Sequence, residues 1–309
     1  MAIQELDRAQ LIGLDWGSSS LRAMLIDAQG EVLSTRTSTQ GASTLSGGAV
    51  GFVQALDALI GDWRVPNLPI VACGMVGSQH GWREVPYATC PADAATLASG
   101  ALTVDWHGQQ IHLMPGLRCE TAGGPPDVMR GEETQILGAG VARGCVILPG
   151  THSKWAQVED GAVRSFATHM TGELFAVLRQ HSVLGRLMPA AGASEDITSF
   201  ISGACAARDQ GDLGLSHQLF AVRTLGLTEK LPHSALADYL SGLLIGHEIR
   251  AGLATRVDDA PLVLIGEPAL CSRYATALEQ FGCGPDVPQL PNTAAAGLRQ
   301  LARQIAGVL

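Results

Sequence analysis

An apolar strand and a turn of small residues open the first half of the chain, in the stretch Leu11-Ile12-Gly13-Leu14-Asp15-Trp16-Gly17-Ser18-Ser19-Ser20. A second apolar strand follows at residues 21–26, and a reverse turn at residues 27–30 leads into a third strand at residues 31–35. A glycine followed by hydroxyl residues between two strands exposes backbone N–H groups and adds hydroxyl donors, which phosphate oxygens accept. This stretch therefore predicts a β-hairpin whose turn binds phosphate.

The same plan returns in the second half of the chain. An apolar strand at residues 145–148 runs into Pro149-Gly150-Thr151-His152-Ser153-Lys154, and strands at residues 155–158 and 162–166 follow around a turn at residues 159–161. Two such hairpins indicate two related α/β domains that hold a polyphosphate between them. We place the boundary where the plan restarts, which gives domains of residues 1–140 and 141–309.

The composition supports two globular domains and excludes several classes of protein. The chain has 309 residues and a mass of 32.2 kDa, with 46% hydrophobic and 16% charged residues, which suits two filled cores. Its formal net charge of −9 argues against binding to nucleic acid, because a phosphate backbone needs a basic surface. It does not argue against a nucleotide, since backbone amides and a metal ion supply a local positive field.

Cysteine usage and hydropathy predict where the protein works. The seven cysteines are odd in number and form no C-x-x-C pair, which is typical of reduced thiols in a cytoplasmic protein. The N-terminal residues lack a signal-peptide core, and no apolar run has the length of a membrane span. We therefore expect a soluble cytoplasmic protein. The sequence defines no oligomeric state; a homodimer is our expectation.

The segments outside the hairpins predict the elements that complete each domain. We expect a helix at residues 49–63, a buried strand at residues 70–73 that leads into a glycine-rich loop, and two strands within residues 101–114. Residues 115–126 are expected to be a loop, and a helix is expected to begin at Asp127 and to continue to about residue 139. In the second half, residues 261–266 read as a strand, and the last helix spans residues 293–305.

Taken in order, the motifs of the chain resemble one family. With Gly266 at a strand end and a closing Ala-Ala-Gly helix, the chain resembles the sugar kinase/Hsp70/actin superfamily, and more narrowly the 2-dehydro-3-deoxygalactonokinases. Six blocks carry the narrower resemblance: Asp15-Trp16-Gly17-Ser18-Ser19-Ser20-Leu21-Arg22, Cys73-Gly74-Met75-Val76-Gly77-Ser78, Gly81-Trp82-x-Glu84-x-Pro86-Tyr87, Met129-Arg130-Gly131-Glu132-Glu133-Thr134-Gln135, Gly150-Thr151-His152-Ser153-Lys154-Trp155 and Met170-Thr171-Gly172-Glu173-Leu174-Phe175.

The resemblance implies a fold, a reaction and two cofactors. The fold is α/β, with two actin-like (ribonuclease H-like) domains and a nucleotide cleft between them. The reaction is transfer of the ATP γ-phosphate to the 6-hydroxyl of 2-dehydro-3-deoxy-D-galactonate, with Mg²⁺. The partners are then a small sugar acid and ATP, with no nucleic acid and no membrane.

The resemblance also assigns the nucleotide-binding residues. Asp15 would be a catalytic residue that holds Mg²⁺ through water, or else a turn aspartate that bonds its own backbone. Lys154 could neutralise phosphate charge or be an ordinary surface lysine, and His152 reads as a loop residue more than as an acid–base group. Gly266 and Glu267 would accommodate adenosine or form a plain strand-to-helix turn. The predicted ATP-binding residues are Gly17, Ser18, Ser19, Ser20, Gly150, Thr151, His152, Ser153, Lys154, Gly266 and Glu267.

Phosphoryl transfer also needs a group that accepts the proton of the sugar hydroxyl. Kinases of the superfamily commonly use an aspartate near the start of a helix, which points to Asp127, with Glu132 in reserve. The alternative for Asp127 is a helix N-cap with no catalytic duty.

The acceptor is a carboxylated sugar, so N–H donors or cations must meet its carboxylate. Arg130 is the candidate for that contact, and the loop after the strand at residues 70–73 is the candidate for the sugar. The predicted substrate-binding residues are Gly77, Ser78, Trp82, Glu84 and Arg130. For Trp82 the alternative is packing at the base of the loop.

Two other functions remain open on the sequence. The protein could be a kinase for another sugar or another keto-deoxy acid, because pocket geometry decides stereochemistry at a single carbon. It could also be a non-catalytic nucleotide switch or filament protein of the actin type, because a fold does not dictate a function. The absence of a G-x-x-x-x-G-K-[ST] motif excludes a P-loop NTPase.

Overall fold

The structure is a computed structural model that describes residues 2–120, 124–189, 196–257 and 259–305. The chain divides into two compact units. The first unit consists of Met1–Gly144, Ala156–Phe166 and Asn292–Leu309, and the second of Cys145–Trp155 and Ala167–Pro291. The boundary near residue 140 stays a prediction.

The elements of the first half alternate between strands and short helices. They are α1 (Ala2–Arg8), β1 (Ala9–Trp16), β2 (Leu21–Asp27), β3 (Val32–Ser38), α2 (Ala49–Ile60), β4 (Ile70–Gly74), β5 (Ala88–Thr89), α3 (Ala94–Ser99), β6 (Leu102–Trp106), β7 (Gln109–Leu113), β8 (Leu117–Glu120), β9 (Pro126–Met129) and α4 (Glu132–Gly138).

The second half begins with three strands and continues mainly as helices. Its elements are β10 (Arg143–Leu148), β11 (Ser153–Glu159), β12 (Ala162–His169), α5 (Thr171–His181), α6 (Ile197–Gln210), α7 (Leu215–Leu227), α8 (Leu236–Thr255), β13 (Leu262–Ile265), α9 (Pro268–Gln280), β14 (Gln289–Leu290) and α10 (Ala294–Ala302). Within the described ranges, none of the helices has the length and apolar character that crossing a bilayer requires.

The two larger sheets repeat one strand order. The first runs β3-β2-β1-β4-β7-β6, and the second runs β12-β11-β10-β13-β14. In the first, β1 is antiparallel to β2 and parallel to β4, and in the second β10 is parallel to β13. Each hairpin of the sequence therefore forms the same half of its sheet. This duplication confirms the predicted α/β class with two actin-like domains.

Burial explains why β1 and β4 lie at the centre of the first sheet. All five residues of β4 are buried, as are five of the eight residues of β1, namely Leu11, Ile12, Gly13, Leu14 and Trp16. Such apolar runs are typical of strands covered on both faces. Helix α2 covers the sheet with Phe52, Leu56 and Ile60, which recur at helical spacing and are buried. The predicted helix at residues 49–63 and the predicted strand at residues 70–73 correspond to α2 and β4, because the apolar pattern of each segment is unambiguous.

Two predictions around residue 120 are wrong. The expected loop at residues 115–126 contains β8, whose residues alternate between buried and exposed with the period of a strand. The expected helix start at Asp127 is strand β9, which pairs antiparallel with β8 and places Asp127 opposite Cys119. Helix α4 begins only at Glu132, because its N-cap Gly131 has a φ of 110° that no helix accommodates.

Helices α4 and α10 of the first unit pack at backbone distance. A Cβ at Gly138 would overlap with the carbonyl oxygen of Thr293, and a Cβ at Gly297 would overlap with that of Thr134. The hydroxyl of Thr293 donates to the Gln135 carbonyl at 2.6 Å, between these two contacts. The two glycines thus let α10 fix the position of α4.

We expect Gly297→Ala to destabilise the first unit. The added methyl group meets backbone of α4, which cannot move aside as a side chain can, and overpacking of this kind costs about 1–3 kcal/mol. Gly61→Ala is the matched control, because Gly61 has helical dihedral angles and no described heavy atom lies within 4 Å of its Cβ position. Denaturant unfolding of both variants measures the difference. Equal midpoints for the two variants would contradict the packing argument.

Candidate active site

The first phosphate loop, residues 17–20, connects β1 to β2, and backbone hydrogen bonds from residues 42 and 43 hold it in place. The N–H of Ala42 donates to the Gly17 carbonyl at 2.9 Å, and the N–H of Ser43 donates to the Ser18 carbonyl at 3.0 Å. The side chains of Ser18, Ser19 and Ser20 are exposed. The loop therefore has a fixed backbone and three solvent-exposed serine side chains, which are the features that a phosphate-binding turn requires.

Asp15 stands at the end of β1 among three polar groups. Burial raises the pKa of its carboxyl group; the Arg22 guanidinium, 3.9 Å away, opposes that rise, the Glu132 charge adds to it, and a hydrogen bond from Asn292 opposes it. Asn292 uses its side-chain oxygen to accept the N–H of Ala294 at 2.9 Å, so its amide N–H faces Asp15. Sequence reasoning missed Asn292, although an Asn two residues before a helix is a recognisable capping signal.

Asp15 and Glu132 fit a magnesium ion. Both provide carboxylate oxygens, and their charges are close enough for Glu132 to raise the pKa of Asp15. Among the described residues, no group of three or more His, Cys, Asp or Glu side chains could hold a metal. Mg²⁺ usually keeps several waters and takes one or two carboxylates together with substrate phosphates, so a site of this size would suffice.

Helix α4 presents a buried carboxyl group at its first turn. Glu133 accepts the N–H of Gly131 at 2.6 Å and the hydroxyl of Thr134 at 3.1 Å. Burial, followed by the negative charge of Glu132, raises the pKa of Glu133 to about 8. Sequence reasoning missed Glu133 as well. No local signal marks Glu133 for burial, because neighbouring helix residues are only about 100° apart and two adjacent glutamates can both face solvent.

Asp127 and Glu132, the two candidates for proton acceptor, occupy different elements. Asp127 is half-buried on β9, and its Oδ1 accepts the N–H of Val128 at 2.7 Å. Glu132 lies at the N-terminus of α4, accepts the N–H of Arg130 at 3.1 Å, and acts electrostatically on Asp15. The structure thus associates Glu132 with Asp15.

Arg130 lies beside the glycine-rich loop that follows β4. Its Nη2 donates to the Val85 carbonyl at 2.8 Å, and its guanidinium covers the Tyr87 ring at 4.3 Å. Nε and Nη1 are buried and have no hydrogen-bond partner among the described residues. Nη1 faces Gly77, where a Cβ would come within 3.0 Å of it. Two predicted substrate-binding residues, Gly77 and Arg130, are therefore neighbours.

The other predicted substrate-binding residues differ in their surroundings. Trp82 stacks on Phe52 with ring centroids 5.7 Å apart and meets Trp16 edge-on at 6.3 Å. Trp82 thus packs at the base of the loop, as the alternative reading held. Ser78 is half-buried and Glu84 is exposed.

The second phosphate loop, residues 149–154, differs from the first in what it exposes. Thr151 and His152 are exposed, and the imidazole of His152 contacts the Glu173 carboxylate. Ser153 and Lys154 are buried, and the Lys154 ammonium donates to the His152 carbonyl at 2.9 Å. Lys154 is therefore not a surface lysine, and its charge lies beneath the loop.

A cavity of about 610 Å³ opens beside this loop within the second unit. Gly150, Thr151 and Glu267, all predicted to bind ATP, line it together with Gly172 and Arg273. Glu267 caps α9 by accepting the N–H groups of Ala269 and Leu270 at 3.1 Å and 2.8 Å. The volume falls in the range of about 300–1,000 Å³ that small-molecule sites occupy.

Known proteins match nearly the whole chain. The family model of 2-keto-3-deoxy-galactonokinase matches residues 15–301. A 2-dehydro-3-deoxygalactonokinase of Escherichia coli (strain K12) is 35% identical over 302 residues, which cover 96% of this chain and 99% of the relative. A probable 2-dehydro-3-deoxygalactonokinase of Rhizobium meliloti (strain 1021) is 35% identical over 297 residues, with 94% of this chain and 96% of the relative covered.

A crystal structure shares the fold at the same level of similarity. It is that of a candidate 2-dehydro-3-deoxygalactonokinase from Sinorhizobium meliloti, with a TM-score of 0.84, 36% identity, and coverage of 96% of this chain and 99% of that chain. The matched residues include both phosphate loops, Arg130, Glu132 and Glu267. These findings confirm the resemblance seen in the six sequence blocks. The chain belongs to the 2-keto-3-deoxy-galactonokinase family.

Proposed function

We propose that this protein is an ATP-dependent kinase that phosphorylates the 6-hydroxyl of 2-dehydro-3-deoxy-D-galactonate. The observation that carries the proposal is similarity over almost the full length of two relatives of that name, with both phosphate loops inside the matched region. Both loops are assigned to the nucleotide, so the choice between a kinase and a switch protein rests on the relatives. A switch or filament protein of the actin type would need only the nucleotide.

We assign the nucleotide to the cavity of the second unit. The backbone at Gly150 and the exposed hydroxyl of Thr151 would contact phosphate oxygens, and Gly266 with Glu267 would accommodate the adenosine. The buried ammonium of Lys154 would add positive charge beneath the loop without touching the ligand directly. His152, which contacts Glu173, would shape the loop edge. The hydroxyls of Ser18, Ser19 and Ser20 would serve the β- and γ-phosphates.

The chemistry of transfer falls to the carboxylates of the first unit. Asp15 would hold Mg²⁺, which when bound neutralises charge on the transferring phosphoryl group. One carboxylate must also accept the proton of the attacking hydroxyl. Asp127 was the sequence-based choice for this role, and Glu132 is favoured by its position beside Asp15. Cytoplasmic location and a homodimer stay predictions.

A coupled assay of ADP release tests the proposed reaction. We expect acceptor-dependent turnover with Mg²⁺ and 2-dehydro-3-deoxy-D-galactonate, and loss of turnover when EDTA removes the metal. A panel of aldonic and keto-deoxy acids identifies the preferred stereochemistry. Faster turnover on another acid would reassign the substrate. Nucleotide binding without any acceptor-dependent turnover would instead favour a switch protein.

We expect Glu132→Gln to lower kcat by about 100-fold or more, because the amide cannot accept the hydroxyl proton. The KM for ATP should change by less than about threefold if Glu132 acts mainly in the chemical step. Asp127→Asn is the matched variant, and it should keep kcat within about tenfold of the wild type. Steady-state kinetics of the two variants decide which carboxylate accepts the proton. The reverse pattern would give the role to Asp127.

We propose that Arg130 binds the carboxylate of the sugar acid. A buried guanidinium with two unpartnered donors is unfavourable unless a ligand satisfies them, and a carboxylate accepts two parallel N–H bonds. The missing side chain at Gly77 lets Nη1 lie against the backbone of the loop, since a Cβ there would come within 3.0 Å of it. Tyr87 and the Val85 carbonyl hold the guanidinium in place from its other sides.

Arg130→Met should raise the KM for the sugar acid by about 100-fold while the KM for ATP stays unchanged, because the loss of charge-assisted bonds weakens only acceptor binding. The variant should also lose its preference for the acid over an analogue with a hydroxymethyl group in place of the carboxylate. Arg83→Met is the control, because Arg83 is exposed and its guanidinium donates to the Thr103 carbonyl at 2.8 Å. A retained preference in Arg130→Met would place the carboxylate elsewhere.

A further inference from the structure

A buried chain of hydrogen bonds runs beneath the second phosphate loop. The Tyr274 hydroxyl on α9 lies 3.0 Å from Ser153 Oγ and 2.7 Å from Glu248 Oε2 on α8. The other carboxylate oxygen of Glu248 accepts the indole N–H of Trp155 at 2.9 Å. The exposed fractions are 0% for Ser153, 1% for Tyr274 and 3% for Glu248.

The donors and acceptors of this chain fit together in only one direction. The indole N–H can only donate, and a carboxylate only accepts, so Glu248 receives bonds from both Trp155 and Tyr274. Burial, and next the charge of Glu248, raises the pKa of Tyr274, which keeps the phenol protonated and able to donate. Having given its single proton to Glu248, the phenol oxygen must accept a bond from Ser153.

The direction of the chain determines what Ser153 offers to the loop. Ser153 Oγ lies 3.4 Å from both the backbone nitrogen and the carbonyl oxygen of Gly150. With its proton directed to the closer Tyr274 oxygen, at 3.0 Å, its lone pairs face the N–H of Gly150. The side chain of Thr171, at the N-terminus of α5, also bonds to the Tyr274 hydroxyl. Tyr274 thus links the loop, α5 and α8 at one atom, and it lines the cavity beside Gly150.

We propose that Glu248 is a positioning residue for nucleotide binding, which acts through Tyr274 and Ser153 to orient the Gly150 turn toward the phosphates. This inference rests on the proposed function, and it revises one prediction. Ser153 does not offer its hydroxyl to the phosphates. It is the last member of a buried network that fixes the backbone which does.

The alternative is that the four side chains only stabilise the second unit. A buried carboxylate without this purpose would be unfavourable, since apolar residues of similar volume are often at least as stabilising as buried charges. Helix α8 is otherwise apolar on its buried positions, with Glu248 as the exception among Leu, Ile and Gly. A role in nucleotide binding explains why Glu248, the one exception, is linked through Tyr274 to Ser153 of the second phosphate loop.

Tyr274→Phe and Glu248→Gln test the inference. Phenylalanine removes only the shared hydroxyl, and glutamine places an amide where two donors converge, so the chain cannot keep its direction in either variant. We expect the KM for ATP and the Kd for ADP to rise at least about tenfold, the equivalent of roughly one hydrogen bond. The KM for the sugar acid should stay within about twofold. The double variant should be no worse than either single variant, because both break the same chain.

Gln218→Leu is the control for a purely structural effect. Gln218 is also buried in the second unit and donates to the Ala206 carbonyl at 2.8 Å, away from the cavity lining. It should lose stability with no change in the KM for ATP. If Tyr274→Phe and Glu248→Gln behave in the same way as Gln218→Leu, the network is structural and the inference is overturned.

Calorimetric titration with ADP keeps this test separate from the test of the reaction. Absence of kinase turnover in the wild type would remove the proposed function, while a weakened Kd for ADP in Tyr274→Phe would still support the positioning role. Normal turnover together with an unchanged Kd in both variants would remove only the positioning role. Because Tyr274→Phe deletes a single atom, it tests the inference even if Glu248→Gln does not fold.

Discussion

Burial of charged side chains is the constraint on which the rest of this structure depends. Taking a carboxylate or guanidinium out of water is strongly unfavourable unless hydrogen bonds replace the lost hydration. The chain meets this requirement in different ways at different sites. Glu248 has protein donors on both oxygens, and Glu133 is held mostly protonated at neutral pH because burial raises its pKa to about 8. Arg130, by contrast, has two donor atoms that no described group satisfies. The satisfied groups fix backbone, and the unsatisfied group is where a ligand is needed.

The same distinction separates the two phosphate loops. Both follow a buried strand and both occupy the same place in sheets of the same order. The first loop leaves three serine side chains exposed, while the second buries Ser153 in a network that ends at Glu248. Duplication therefore preserved the hairpin and changed the side chains below it. Under the proposed function, this divergence would suit the first loop to contact the reacting phosphates and the second to hold the nucleotide.

Much of the fold could be predicted because local pattern and tertiary burial agree. The strand at residues 70–74 is apolar throughout, and α2 repeats its apolar residues at helical spacing. The failure at residues 117–131 has a physical cause. Strand β9 is only four residues long and one of them is a proline, so its pairing with β8 decides its structure. Single-sequence patterns do not contain that pairing, and the acidic residues beyond it imitate an earlier helix start.

The candidate site could be predicted only as far as its loops. Glycine and hydroxyl residues at a strand end are a local signal, which is why Gly17, Gly150 and Glu267 could be named. Asn292 reaches Asp15 from the far end of the chain, and Tyr274 reaches Ser153 across more than a hundred residues. The second of these contacts joins α9 to β11 within the second unit, and the first comes from the residue two positions before α10, which packs closely on α4 at Gly138 and Gly297. A glycine in a helix is usually read as a weakness. Here Gly138 and Gly297 let α4 and α10 pack at backbone distance, and α4 carries Glu132, the carboxylate whose charge acts on Asp15.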